Sequence, residues 1–352
     1  MPPKNDDGAS RGSDFPRCSA PSRLDASRLR LNAMRPKGGS MGKTLYWIQG
    51  GACGGDTMSL LNVESPDILE LFAIADLEVL FHPSLSNPSP KEHRELLRAL
   101  SSGQRRLDIL CVEGAVIRGP GGTGMFDTMA GQPKKDIIWK LASKAEFVIA
   151  VGTCASFGGI GVKGEIEATG LQFEQGAKGG FLGADFRTHA GHPVLNIPGC
   201  PAHGEALAGA LGTLCLGQLP SLNELNAPDE WFGLLVHQGC VRSEYHEYRV
   251  EEHDFGERGC LFFFLGCRGP MTSGPCNKLL WNRRSTKTRV GVPCFGCTEP
   301  TFPQVTPFFE TPSIVGVPVE LPVGVDRAHY LAYKDMAAAA APERLKTRKT
   351  KV

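Results

Sequence analysis

The chain has 352 residues, enough for two domains, and sets 38 Lys and Arg against 37 Asp and Glu. That balance leaves no field to recruit nucleic acid, and no apolar run approaches the ~20 residues that span a membrane. Twelve cysteines with 43 glycines and 26 prolines describe a loop-rich protein whose backbone passes close to something bulky; in a reducing compartment so many thiols point to metal or cluster ligation over disulfides.

Residues 1–42 are polar, rich in Ser, Arg and Pro, and lack apolar periodicity, so they read as a mobile basic tail; the last nine residues, Arg344–Val352, read the same way. The N-terminus shows neither a charged-then-apolar secretory pattern nor a twin-arginine pair before an apolar segment, which sets a cytoplasmic location as the expectation.

From 43 to about 215 the pattern alternates. Thr44–Gln49 predicts a strand, Asp67–Ala75 a helix, Leu77–Phe81 a strand, Pro90–Ser101 a helix with a Ser-Pro start, and Leu107–Val112 a strand. Asp136–Lys144 predicts a helix, Phe147–Val151 and Val194–Ile197 strands, and His203–Leu216 a helix. The fold class is therefore α/β, with a parallel sheet covered on both faces. Reactive residues follow the strands: Cys53 and Asp56 the first, Glu113 the third, Cys154 the fourth and Cys200 the fifth. Loops at the carboxyl ends of parallel strands share one edge, so three thiols and an acid converge there from separate loops.

From 229 to about 310 regular patterning fades and Gly, Pro and Cys dominate. The region cannot bury a normal core, so bound inorganic groups are expected to organise it. Its possible ligands are His237, Cys240, Cys260, Cys267, Cys276, Cys294 and Cys297, which make one four-ligand and one three-ligand site. Thiolates suit iron–sulfur clusters. Two tetrahedral zinc sites are the alternative, and the ligand count falls one short of them.

Gly152-Thr-Cys-Ala-Ser-Phe-Gly-Gly159, Pro198-Gly-Cys-Pro201, Leu265-Gly-Cys-Arg-Gly-Pro270 and Pro293-Cys-Phe-Gly-Cys-Thr-Glu-Pro300 stand in one order, with His237-x-x-Cys240 between the second and third. In these motifs, across about 43–310, the chain resembles the small subunit of nickel–iron hydrogenases. The resemblance implies a flavodoxin-like domain over 43–228, a cluster-binding domain over 229–312 and a C-terminal extension over 313–352. It implies a proximal four-iron cluster on Cys53, Asp56, Cys154 and Cys200, and a distal four-iron cluster on His237, Cys240, Cys260 and Cys267. The medial cluster would sit on Cys276, Cys294 and Cys297, with three irons as the simplest fit and four as the alternative. Cys111 and Cys215 are left as small buried hydrophobes, and Cys18 lies in the tail.

Asp56 stands where most of the family has a cysteine, a substitution that resembles the actinobacterial-type branch associated with oxygen-tolerant hydrogen oxidation. The competing reading makes Asp56 the N-cap of a helix from Thr57, with three irons in the proximal cluster. Gly55 and Gly159 occupy the positions where another oxygen-tolerant branch adds cysteines, so that branch's six-cysteine cluster cannot form here. Thr286, ten residues after Cys276, takes the place of a proline or cysteine. The implied function is electron relay from a nickel–iron large subunit to an unidentified acceptor. An obligate heterodimer, paired into a dimer of heterodimers, goes with it. No group of this chain cleaves hydrogen, because that metal needs two CxxC pairs and Cys294-x-x-Cys297 is already assigned. Glu113, beside the proximal site, reads as a structural hydrogen-bonding group, with proton movement as its alternative. The alternative functions are the cluster subunit of a quinone-reducing respiratory complex, which would match only the N-terminal half, and a zinc-stapled scaffold.

Overall fold

The computed structural model describes residues 42–162, 164–303 and 307–347. The tail expected over 1–42 lies outside the described residues except for Gly42. Five strands form one parallel sheet: β1 (Lys43–Gln49), β2 (Leu77–Phe81), β3 (Ile109–Glu113), β4 (Phe147–Val151) and β5 (Leu195–Ile197). The spatial order is β2-β1-β3-β4-β5, the doubly wound flavodoxin-like order, whose switch point lies between β1 and β3.

The strands are buried on both faces, which explains their near-continuous apolar runs. Leu45, Trp47, Ile149 and Ile197 pack on one side with α2 (Ile68–Ile74) and α6 (Gly204–Cys215). Tyr46, Ile48, Leu110 and Val148 pack on the other with α3 (Pro90–Ser102) and α4 (Lys134–Ala142). Each such Leu, Ile or Val contributes about 1.5–3 kcal/mol by leaving water. Capping boxes start two of the helices: Asp67 with Glu70 for α2, and Ser89 with Glu92 for α3, where Pro90 adds its fixed φ. The predicted strands and helices of this half are all present, with ends shifted by one or two residues.

Two short helices escaped the periodicity. α1 (Gly55–Leu61) follows β1, and α5 (Gly152–Phe157) follows β4 without a loop. Both begin on glycine-rich turns, and both carry residues of the site. Cys111 is fully buried in β3, as expected, whereas Cys215, at the end of α6, is only half-buried at the rim of the same apolar layer.

Beyond residue 229 the elements are short. Helix α7 (Ser243–Glu247) is one of them, and the buried guanidinium of Arg242 pins two loops by donating to the carbonyls of Thr288 and Gly259, each at 2.6 Å, and of Glu257.

The C-terminal stretch corrects an expectation. Residues 344–347 are packed, not tail-like. A hairpin pairs Ser313–Ile314 with Val317–Pro318, and helices α8 (Arg327–Ala339) and α9 (Glu343–Lys346) follow. Val317 and Tyr330 complete an apolar cluster with Cys260 and Phe262, Leu345 buries against Val250, and Arg344 pairs with Glu244. One of the basic residues that suggested a solvated tail, Arg344, has an acidic partner 100 residues earlier in the chain.

Candidate iron–sulfur relay

The loops after β1, β4 and β5 meet at the carboxyl edge of the sheet. Cys53 lies on the turn into α1, Asp56 in the first turn of α1, Cys154 in α5 and Cys200 just after β5. The four are close enough to act on one another. Burial raises the Cys154 thiol, and the charges of Asp56 and Cys53 raise it further. Burial pushes Cys200 up to about 11, with contributions from Cys154, Cys297, Asp56 and Cys53.

Asp56 is not a helix cap. Helix α1 starts at Gly55, its N-cap is Gly54, and no side chain caps it. The Asp56 carboxylate is instead buried, with one oxygen accepting the Ala202 N–H at 2.6 Å. Burial drives its pKa up to about 7, against the pull of the Ala202 N–H and helped by Glu113. Its other oxygen faces Gly152, where an added methyl carbon would overlap it. Gly152 also has φ 83°, which costs an L side chain about 1–2 kcal/mol before any overlap. Gly152→Ala is therefore expected to push the carboxylate out of place and lower thermal stability by at least that amount. A fall of only a few degrees in melting temperature, the backbone cost alone, would show that the carboxylate yields freely, and no fall would overturn both parts of the expectation.

The glycines at the two positions noted in the sequence clear space against sulfur. A Cβ on Gly159, whose φ is 62°, would stand 2.5 Å from Cys154 Sγ, and one on Gly55 would stand 3.2 Å from Cys53 Sγ. A side chain at either position would press on a sulfur, so these glycines let the backbone run close to Cys154 and Cys53.

Glu113 ends β3 and is completely buried. Its Oε2 accepts from Trp47 Nε1 and Gln49 Nε2, each at 2.9 Å, and from the Thr57 hydroxyl at 2.5 Å, while Oε1 accepts the Thr57 N–H at 3.0 Å. Four donors on two oxygens make it the tie between β1, β3 and α1, which favours the structural reading.

Two further thiol groups lie beyond. Cys276, Cys294 and Cys297 influence one another, and burial raises the thiols of Cys276 and Cys294. The Trp281 side chain hydrogen-bonds Cys276 and pulls it back down. Thr286 is buried and donates to Asn277 Oδ1 at 2.5 Å, so its hydroxyl is engaged within the protein. Cys240, Cys260 and Cys267 form the third group, around the Arg242 guanidinium. Burial pushes Cys267 up to about 11 and Cys260 well above its ordinary value. His237 adjoins this group through its backbone, whose N–H donates to Gly269 O at 3.1 Å, close to Cys267; its ring meets that of His246, and its Nε2 lies 4.0 Å from Glu247.

The groups are joined end to end. Cys200 feels the charge of Cys297, and the Thr153 hydroxyl donates to the Cys297 carbonyl. The Cys294 N–H points at Cys267 Sγ, 3.4 Å away. Backbone N–H groups also aim at other sulfurs at 3.4 Å: Gly55 at Cys53, Arg242 at Cys240 and Phe262 at Cys260. Such donors stabilise thiolates, so soft anionic sulfur is what these loops are shaped to hold. The thiol-rich donor set, with backbone N–H groups aimed at its sulfurs, fits iron–sulfur clusters.

Sequence reasoning missed three features. Arg242 and His246 carry no ligand spacing that marks them. The extension 311–347 roofs the third group, and a cavity of about 400 Å³ remains between it and His237, bounded by Tyr330, Tyr333 and Arg249.

Comparison with known proteins divides the chain in two. Residues 232–310 match the sequence profile of the C-terminal region of the NiFe/NiFeSe hydrogenase small subunit. Residues 53–214 match that of the 20 Kd subunit of NADH ubiquinone oxidoreductase. The F420 non-reducing hydrogenase II small subunit of Methanosarcina mazei is 30% identical over 311 residues, covering 78% of each chain. Among solved structures, the Ni-Fe-Se hydrogenase of Desulfomicrobium baculatum is 26% identical, with a TM-score of 0.67 over 76% of this chain and 99% of that one. The actinobacterial-type NiFe-hydrogenase of Ralstonia eutropha shares the fold at a TM-score of 0.71, with 23% identity, over 91% of this chain and 95% of that one.

Proposed function

Given that this chain belongs to the nickel–iron hydrogenase small-subunit family, we propose that it is the electron-transfer subunit of an actinobacterial-type hydrogenase, with hydrogen split on a partner large subunit. Clusters, when bound, supply one-electron carriers in short steps between that partner and an acceptor. Cys53, Asp56, Cys154 and Cys200 hold the proximal one, Cys276, Cys294 and Cys297 a three-iron medial one, and His237, Cys240, Cys260 and Cys267 the distal one. The observation that carries this reading is the unbroken file of thiol groups, joined at Cys200–Cys297 and at Cys267–Cys294.

The protein's own part is to set charge, burial and access. Cys53 and Cys200 are exposed while Cys260 and Cys267 are buried, so the proximal end is the one left for a partner to close. Ile160, whose backbone hydrogen-bonds Cys154, is exposed beside it, and an exposed apolar side chain next to an open site suits a large-subunit interface. Arg242, buried against three distal thiols, offsets the negative charge that they carry as ligands. We take the location to be cytoplasmic. The respiratory-complex alternative loses support because the match to that family stops at residue 214.

The test is purification with the large subunit, followed by iron and sulfide counting, electron paramagnetic resonance (EPR) and hydrogen-dependent dye reduction. The expected result is about 11 irons with a three-iron signal in the oxidised state. Zinc without acid-labile sulfide, or no hydrogen-dependent reduction, would overturn the function. Asp56→Cys is expected to keep the fold, because Cys is smaller and its sulfur still accepts from Ala202. It is also expected to move the proximal midpoint potential while the medial and distal signals stay put. An unmoved proximal potential would show that the carboxylate does not touch iron.

A further inference from the structure

His246 lies on α7, nine residues after His237, and is buried. Its Nδ1 stands 3.4 Å from Cys260 Sγ. Its ring packs edge-to-face against His237, with centroids 4.6 Å apart, and against Phe262 at 5.4 Å. A cysteine sulfur bound to iron has no proton to give. The only hydrogen bond these two atoms can then make runs from Nδ1–H to sulfur.

We propose that His246 is a positioning residue of the distal site, whose Nδ1–H donates to the Cys260 sulfur and raises the reduction potential of the cluster held there. The inference rests on the reading of Cys260 as a distal ligand. A donor to a ligand sulfur draws electron density from it, so the more negative, reduced cluster gains more than the oxidised one. Phe262 N–H already donates to the same sulfur at 3.4 Å, the Glu251 carboxyl also reaches Cys260, and His246 adds a further donor to that sulfur. The packing against His237 also fixes how that imidazole is turned.

The same contact separates two uses of the residue. Donor atoms of His246, Glu251 and Cys260 lie within 4.8 Å of one another, a spacing that also suits one tetrahedral ion. That use would take Cys260 away from Cys240 and Cys267, whose charges it feels. The hydrogen bond leaves Cys260 with them, and for that reason the geometry favours donation.

The experiment uses the assembled holoprotein and follows each cluster by EPR through a redox titration. His246→Phe keeps an aromatic ring against His237 and Phe262 but has no N–H. It is expected to lower the distal reduction equilibrium on the order of tenfold, equivalent to about 59 mV for one electron, with the proximal and medial potentials unmoved. His246→Gln, which keeps an N–H donor, is expected to recover part of that shift. A distal potential unchanged in the Phe variant at full iron content overturns the inference. If neither variant assembles, nitrogen hyperfine spectroscopy of the unmodified protein decides. With only the histidines labelled with nitrogen-15, two weakly coupled nitrogens beside the strongly coupled one, the second of them from His246, support the donor, and a single weakly coupled nitrogen, the remote one of the ligand imidazole, overturns it. Zinc at the distal site of the unmodified protein, with no distal iron signal, removes the ligand reading and the inference together.

Discussion

Stripping iron from the holoprotein with a chelator is expected to unfold residues 229–303 while the five-stranded sheet stays folded. The sheet owns the two large apolar layers, built on α2 and α6 and on α3 and α4. The C-terminal half has only small clusters, and Cys260 and Cys267 are themselves members of them. Without metal, these thiols are buried neutral groups joined by loops with few apolar anchors. Structural metal ions contribute on the order of 10 kcal/mol to small sites of this sort. Hydrogen exchange read by mass spectrometry should show protection falling by a hundredfold or more between 229 and 303, and by no more than a few-fold in β1, β3 and β4. Equal loss in both halves would mean that the clusters do not organise the C-terminal half separately.

The second large effect is at Glu113. Glu113→Leu leaves the Trp47 indole, the Gln49 amide and both Thr57 donors without their acceptor in a buried site. Each stranded donor costs about 1–3 kcal/mol, and a total of several kcal/mol corresponds to a fall in melting temperature of roughly 10–20 °C. Glu113→Gln should be milder. Its carbonyl can take the three donors now on Oε2, but its amide then faces the Thr57 N–H, donor against donor. A loss of about 1–3 kcal/mol is expected. Differential scanning calorimetry of the two variants gives the ranking. If Gln matched the parent in stability yet blocked hydrogen oxidation, Glu113 would be a proton carrier and not a tie.

Most of the N-terminal half was legible because buried parallel strands and amphipathic helices write their periods into the sequence over several residues. Leu77–Phe81 and Phe147–Val151 match to the residue. The meeting of Cys53, Asp56, Cys154 and Cys200 at one sheet edge was legible because each follows a strand end. The role of Asp56 was open in one respect, since an acid before a helix and an acid inside its first turn look alike until the helix start is known. Only the approach of Ala202, from 146 residues away, separates them. Positions 311–347 were illegible for a related reason. Arg344, Leu345 and Tyr330 find their partners at Glu244, Val250 and Arg249, and nothing local in a stretch of alanine, proline and lysine announces partners so far away. His246 gave no signal either: a single histidine acquires meaning only from the sulfur beside it.

The roof over the distal site has a consequence for the order of manufacture. Val317 and Tyr330 close the apolar cluster that contains Cys260, and both leave the ribosome after every proposed ligand has been made. A cluster delivered by a carrier protein must reach Cys260 and Cys267 before these later residues settle on them. The last segment of the chain therefore favours early loading of the thiols beneath it, whereas the sheet-edge thiols, exposed at Cys53 and Cys200, stay accessible without any later segment having to move.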